Sequence, residues 1–294
     1  MFSNIRIRGT VEFERCMPES IPCIRTTTRR MALRDALENS RNIQQMAAEY
    51  ESELIELLSN LESGRVVHMK QQPVFEWEFD GNPYFSSNWR FEHAAVRHVL
   101  ASCKFNDGLT LAHAGDFKSS KKEFVAGMEL CKNTIDMCIK KWTFHDMPTL
   151  QISYEGYWHC FREKFNAYSL LMTAQFALLG GKTGVMELIA RKMYGASSVS
   201  LLLGDDVVPI HDFAMLTFAY ARANSLWEKG EHGKALGMTK WQNVEKPSLE
   251  CASKLSSWLL DQEKLFETWE RENANVYFEQ VSDDGLELKE IVAK

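Results

Sequence analysis

The stretch Tyr154 to Leu203, YEGYWHCFREKFNAYSLLMTAQFALLGGKTGVMELIARKMYGASSVSLLL, decides how the rest of the chain is read. Apolar residues recur at helical spacing up to Leu179, stop at Gly180-Gly181-Lys182-Thr183-Gly184 and resume immediately, which predicts two helices joined by a short turn. Two meanings compete for that turn. A phosphate loop needs GxxxxGK[ST] between a strand and a helix, so that backbone N–H groups surround the phosphates and the lysine reaches the terminal ones. Gly181-Lys182-Thr183 is present, but Phe176 stands where the first glycine belongs and the segment before it is helical. The turn therefore reads as a helix-helix connection, and Val185 to Met193 as a surface helix with a role of its own.

Working outward toward the N-terminus, Asp116 to Lys141 is one amphipathic helix with Phe124, Met128, Cys131, Ile135 and Cys138 on its inner stripe and Lys118, Lys121 and Lys122 in its first turns. Lysines there oppose the helix dipole, so helix stability is not why they are present. A further helix is expected from Trp89 to Phe105, ending near Asn106-Asp107-Gly108. Pro73 to Asp80, rich in aromatics, reads as an extended segment anchoring its rings. Arg29 to Leu61 reads as a helix or a slightly broken pair. Only Ile5 to Glu14 alternates apolar and polar residues convincingly enough for one or two short strands.

On the other side, Ile210 to Trp227 carries the small residues Ala214, Ala219, Ala221 and Ala223, and the turn Gly230-Glu-His-Gly233 leads into Lys234 to Val244. A last long helix spans Leu249 to Glu272, and the aromatic ending Asn273 to Val281 is expected to dock back on the body. Helices paired through short turns, with small residues at close approaches, are the signature of helical repeats. The expected fold is mainly α: a curved single domain, 1–294, of tetratricopeptide-like helical hairpins. It has a short β segment at 4–14, a helical body at 29–272 and a docking segment at 273–294.

Composition narrows the function. Among 294 residues, 45% are hydrophobic and 25% charged, as in ordinary globular proteins, and the formal net charge of −6 argues against a nucleic-acid partner. No apolar run is long enough to span a bilayer, and the start of the sequence lacks the apolar core of a signal peptide, so a cytoplasmic location is expected. The seven cysteines are odd in number and scattered, which suits reduced thiols, and Cys131 and Cys138 read as packing residues. His93 and His98 are five apart and so lie on different helix faces, His211-Asp212 matches a metal motif only as a dipeptide, and His159 and Cys160 are helix neighbours that point apart. No catalytic constellation, metal site or cofactor is expected.

Several stretches, in order, resemble the Bro-one domain family, the ALIX, BROX and HD-PTP-like adaptors of the ESCRT membrane-scission machinery. They are Phe75-Glu-Trp-Glu-Phe79, Phe91-Glu-His-Ala-Ala-Val-Arg-His-Val-Leu100, Lys121-Lys-Glu-Phe-Val-Ala-Gly127, Ile189-Ala-Arg-Lys-Met193, Ala219-Tyr-Ala-Arg-Ala-Asn224 with Lys229 to Ala235, and Asn273-Ala-Asn-Val-Tyr-Phe-Glu-Gln-Val281, continued by Leu286 to Ile291. The sequence is shorter than the family's usual domain by some dozens of residues and carries neither the coiled region nor the proline-rich tail of the larger members. It ends in Ile291-Val-Ala-Lys294, without a prenylation motif. The resemblance implies a non-enzymatic adaptor that binds the C-terminal amphipathic helix of an ESCRT-III subunit and is recruited through partners to endosomal or budding membranes.

The implied groove would lie where the Lys118 to Phe124 helix meets the second limb of the hairpin. Leu188 or Ile189 matches the central apolar groove residue, and Lys192 or Met193 the leucine one turn later. Lys121, Lys122, Arg191 and Lys192, with Lys118 nearby, would face an acidic partner helix and speed its association. For Leu188 and Ile189, core packing is an equally good reading. Two other classes stay open: a structural scaffold or assembly component that has lost the groove, and a nucleotide-binding enzyme using Gly181-Lys182-Thr183.

Overall fold

The structure, a computed structural model, describes residues 5–17, 24–63, 69–141, 150–204, 207–239 and 249–281. The chain gathers into two compact units, one of 1–106 with 129–159 and one of 107–128 with 160–294. Cys23, one of the seven cysteines, the 240–244 end of the segment expected from Lys234 to Val244, and 282–294 lie outside the described residues.

In the first unit, β1 (Ile5–Arg8), β2 (Phe75–Phe79) and β3 (Asn82–Ser86) form an antiparallel sheet in that order. Alternation explains it: Ile5, Ile7, Phe75, Trp77 and Phe79 are buried, while Arg6 and Arg8 point outward and pair with Glu78 across the strands. The sequence reading is corrected here. Residues 4–14 are not the only β segment, because the aromatic stretch 75–79 is itself the central strand. Residues 13–16 form a short helix, α1 (Phe13–Cys16). The β2–β3 hairpin turns on Asp80 and Gly81, both at positive φ (51° and 79°), as a two-residue turn matched to strand twist requires.

Of the two forms expected from residue 29, the broken pair is present: α2 (Ile24–Asn39) and α3 (Ile43–Glu62), which pack on each other. They are separated by Ser40 and Asn42 at positive φ, a conformation that a continuing helix does not admit. α4 (Trp89–His113) does not stop at Gly108 but passes through it. In the second unit the Phe124 ring covers that glycine so closely that a Cβ would lie 2.6 Å from it, so Gly108 serves packing rather than termination.

α5 (Phe117–Thr134) begins at Asp116, whose Oδ1 accepts the Ser119 N–H at 3.0 Å, and continues into a π-helical turn at Ile135–Ile139. α6 (Glu155–Leu179) follows. Within the second unit Phe124 of α5 packs on Phe165 and Tyr168 of α6, and Gly127 lies under the Phe165 ring. α6 ends in the turn with Gly181 at φ +65°, then a 3₁₀ turn (Thr183–Val185) leads into α7 (Met186–Ser200). The pair of helices expected from 154 to 203 is therefore present, and its glycine turn follows a helix, not a strand.

α8 (Val208–Glu228) packs along α7, α9 (His232–Thr239) along α8, and α10 (Ser253–Glu272) on both α8 and α9. Gln175 of α6 ties the start of α10 down: its amide donates to the Cys251 carbonyl at 2.6 Å and accepts the Lys254 N–H at 2.9 Å. The ending also docks. Asn273 bonds the backbone of Glu279 at both its amide atoms, Glu279 accepts from His232 and from the Gly233 N–H, and Tyr277 stacks on His232 at 3.7 Å.

Candidate functional site

α7 is apolar on two faces, and burial separates them. Met186, Ile189, Ala190, Met193, Ala196 and Ser197 are interior, whereas Leu188 is 57% exposed and Lys192 and Gly195 lie beside it on the outside. The outer stripe Val185, Leu188, Lys192, Gly195, Val199 and Leu202 follows 3-and-4 spacing and ends at Leu202, 82% exposed. Phe176 and Leu179, at the end of α6, flank the same turn and are also exposed.

The structure thus separates residues that the sequence left as alternatives. Ile189 and Met193 are core side chains, out of reach of an incoming helix, and Leu188 and Lys192 are the accessible members of each pair. Arg191 is held inward: it pairs with Glu187 at 3.6 Å and lies over the Phe218 ring at 5.5 Å, and Arg222 reaches the same carboxylate at 3.5 Å. Lys118, Lys121 and Lys122 are exposed in the first turns of α5.

One buried constellation of the first unit has the layout of a nucleophile, a base and an orienting carboxylate, and sequence spacing gave no sign of it. Cys138 Sγ lies 3.2 Å from His93 Nδ1, and His93 Nε2 lies 3.2 Å from Glu51 Oε1, which Arg97 also grips at 2.6 Å. Its electrostatics are those of a structural network. Burial pushes the Cys138 thiol up to about 12, so the thiolate that would attack is absent at neutral pH. Burial likewise lowers His93, against the raising effect of Glu51. Burial alone would raise Glu51, but the hydrogen bond from His93 and the charge of Arg97 outweigh it, and its net shift is down.

Beside it, Glu92 is a second hub. Fully buried, it accepts from Arg30 Nε at 2.8 Å, Tyr50 Oη at 2.7 Å and Trp77 Nε1 at 2.6 Å. His211, in the doublet weighed as a metal motif, packs at a tilt on the Tyr194 ring and meets Ser197 Oγ at 3.1 Å. Among the described residues no group of three His, Cys, Asp or Glu side chains could hold a metal ion, and no helix is long and apolar enough to cross a membrane.

A mainly helical body with a small antiparallel sheet and paired helices in its second unit defines the class of fold. That fold is Bro1-like. A solved structure concerning endosomal targeting by the Bro1 domain is similar to 87% of this chain and 78% of its own, with a TM-score of 0.54 and 14% sequence identity. No protein-family model matches the chain, and no curated protein matches it in sequence.

Proposed function

We propose that the chain acts as one Bro-one-type, non-enzymatic adaptor that receives the C-terminal amphipathic helix of an ESCRT-III subunit on the outer face of α7. The observation that carries this is the exposed apolar stripe from Val185 to Leu202 on a Bro1-like fold. A partner helix laid along it would place apolar residues at i, i+3, i+4 and i+7 against Leu188, Val199 and Leu202. Lys192 in the middle of the stripe, and Lys118, Lys121 and Lys122 on α5, would suit carboxylates on the partner's flanks. Through that partner the protein would reach endosomal or budding membranes from the cytoplasm, in sorting, budding or membrane repair.

Leu188 supplies the test. Burying what remains exposed of a leucine contributes about 1 to 2 kcal/mol, and an aspartate in its place adds the cost of desolvating a charge. Leu188→Asp should therefore weaken an ESCRT-III C-terminal peptide at least about tenfold, measured by calorimetry on variants with unchanged melting. Stable multimers that bind no such peptide would favour the scaffold reading instead. For the nucleotide reading, a melting temperature unmoved by nucleotide with magnesium ends it.

A further inference from the structure

A cleft of about 260 Å³ lies within the second unit, away from the outer stripe of α7 in chemistry though sharing its first turn. Three helices and the 3₁₀ turn before α7 line it. Asn224 and Glu228 stand on one face of α8, Trp258, Gln262 and Leu265 on one face of α10, and Glu187 in the first turn of α7 closes a side. The spacings i and i+4 on α8, and i, i+4 and i+7 on α10, direct these side chains to the same space.

The chemistry of the lining is one-sided. It offers two carboxylates, two amides, the hydroxyls of Thr183 and Ser225, an indole and small or apolar side chains, and no lysine, arginine or histidine. Glu187 is committed to Arg191 and Arg222. Glu228, exposed at the rim, makes no ion pair among the described residues. The Asn224 amide donates to Gln262 Oε1 at 2.6 Å, so the two carbonyl oxygens keep lone pairs able to accept from a cationic donor. Trp258 and Leu265 line the cleft, an indole being able to meet a cation and a leucine an apolar stem.

We infer that this cleft binds a primary ammonium or guanidinium group on a short aliphatic stem, with Glu228 as its counter-charge and Trp258 as its wall. Such a group is available on the lysine or arginine side chain of a polypeptide and on free diamines. Glu187 in the first turn of α7 lines the cleft, but none of Val185, Leu188, Lys192, Gly195, Val199 and Leu202 of the outer stripe does.

The experiment is a titration of the full chain with agmatine, and separately with acetyl-arginine amide, followed by nitrogen–proton correlation spectra at the Trp258 indole, assigned from Trp258→Phe. Saturable shifts in the millimolar range are expected for at least one probe, reduced at least threefold in affinity by Glu228→Gln and by Trp258→Leu. Glu267→Gln, an exposed carboxylate elsewhere on α10, should leave the affinity unchanged. Whichever probe binds more tightly identifies the source of the cation, and either order supports the site. No saturable shift with either probe, or equal weakening by Glu228→Gln and Glu267→Gln, overturns it. Melting curves of each variant separate lost binding from lost folding.

Discussion

Replacing Glu92 by glutamine tests whether the first unit is held by the polar hub beneath its sheet. The substitution keeps shape and volume but removes the charge opposite Arg30, whose side chain is 3% exposed. It also gives one end of the group two N–H donors where the native carboxylate only accepts. That end must face either Trp77 Nε1 or the pair Arg30 and Tyr50, so one donor loses its acceptor in every orientation. An uncompensated buried charge costs about 3–5 kcal/mol and a stranded donor about 1–3 kcal/mol; the two costs overlap, so the expected loss is about 3–5 kcal/mol. This is a large part of the 5–15 kcal/mol typical of a domain. Urea unfolding read separately for each transition is the assay, because two compact units need not unfold together. Glu76→Gln, on β2 beside Trp77 and half-buried, should stay within about 0.5 kcal/mol. Arg30→Met should cost less in the Glu92→Gln background than in the native protein, since its charge partner is already gone. A loss under about 1 kcal/mol, or strict additivity with Arg30→Met, would refute the reasoning.

Two further predictions concern packing and pH. Gly127→Ala would drive a Cβ into the ring of Phe165, itself fully buried, and should cost about 1–3 kcal/mol; Phe165→Leu in the same chain should recover part of that, and a neutral Gly127→Ala would contradict the packing. Acid should destabilise the first unit. Burial lowers His98 from its ordinary 6.5 to about 4, so between those values the unfolded chain binds a proton that the folded one refuses, and stability falls as pH drops from 6.5 toward 4. Glu51, whose pKa is depressed in the fold, acts in the same sense at the lower end of that range. A 2.5-unit difference sets a ceiling of ~3 kcal/mol, and because the ring keeps some accessible surface about 1–2 kcal/mol is the expected fall. Stability measured from pH 7 to 4 should lose that component in His98→Gln, and a flat native profile would contradict it.

The residues that carried the family resemblance turn out to be the ones the fold needs. Trp77 and Glu92, from two separate stretches, meet in one hydrogen bond. Phe124 and Gly127 pack on α6, and Asn273 and Tyr277 fasten the ending over α9. Such positions are legible because core packing and backbone geometry restrict residue type strongly. The helices were legible for the related reason that burial imposes a 3.6-residue period. What the sequence obscured has physical causes too. The Asp80-Gly81 turn signalled a hairpin that the aromatic density of 75–79 disguised, and Gly108 looked like a helix end because the ring covering it comes from another helix.

The site was harder to read. A one-residue shift moves a side chain about 100° around a helix, and α7, apolar on both faces, leaves no periodic clue to whether Leu188 or Ile189 faces water. The network of Cys138, His93 and Glu51 joins residues 45 and 42 positions apart, and nothing local marks them. Asn224 and Glu228 of α8 and Trp258 and Gln262 of α10 come to one cleft only because the two helices pack together, which no local spacing announces.

The central claim, that the outer face of α7 receives a helix, is tested most directly by calorimetric titration of the full chain with an ESCRT-III C-terminal peptide. Saturable binding is expected, weakened at least tenfold by Leu188→Asp with the melting temperature unchanged. Absence of binding, or equal affinity in the native and Leu188→Asp proteins, would contradict it.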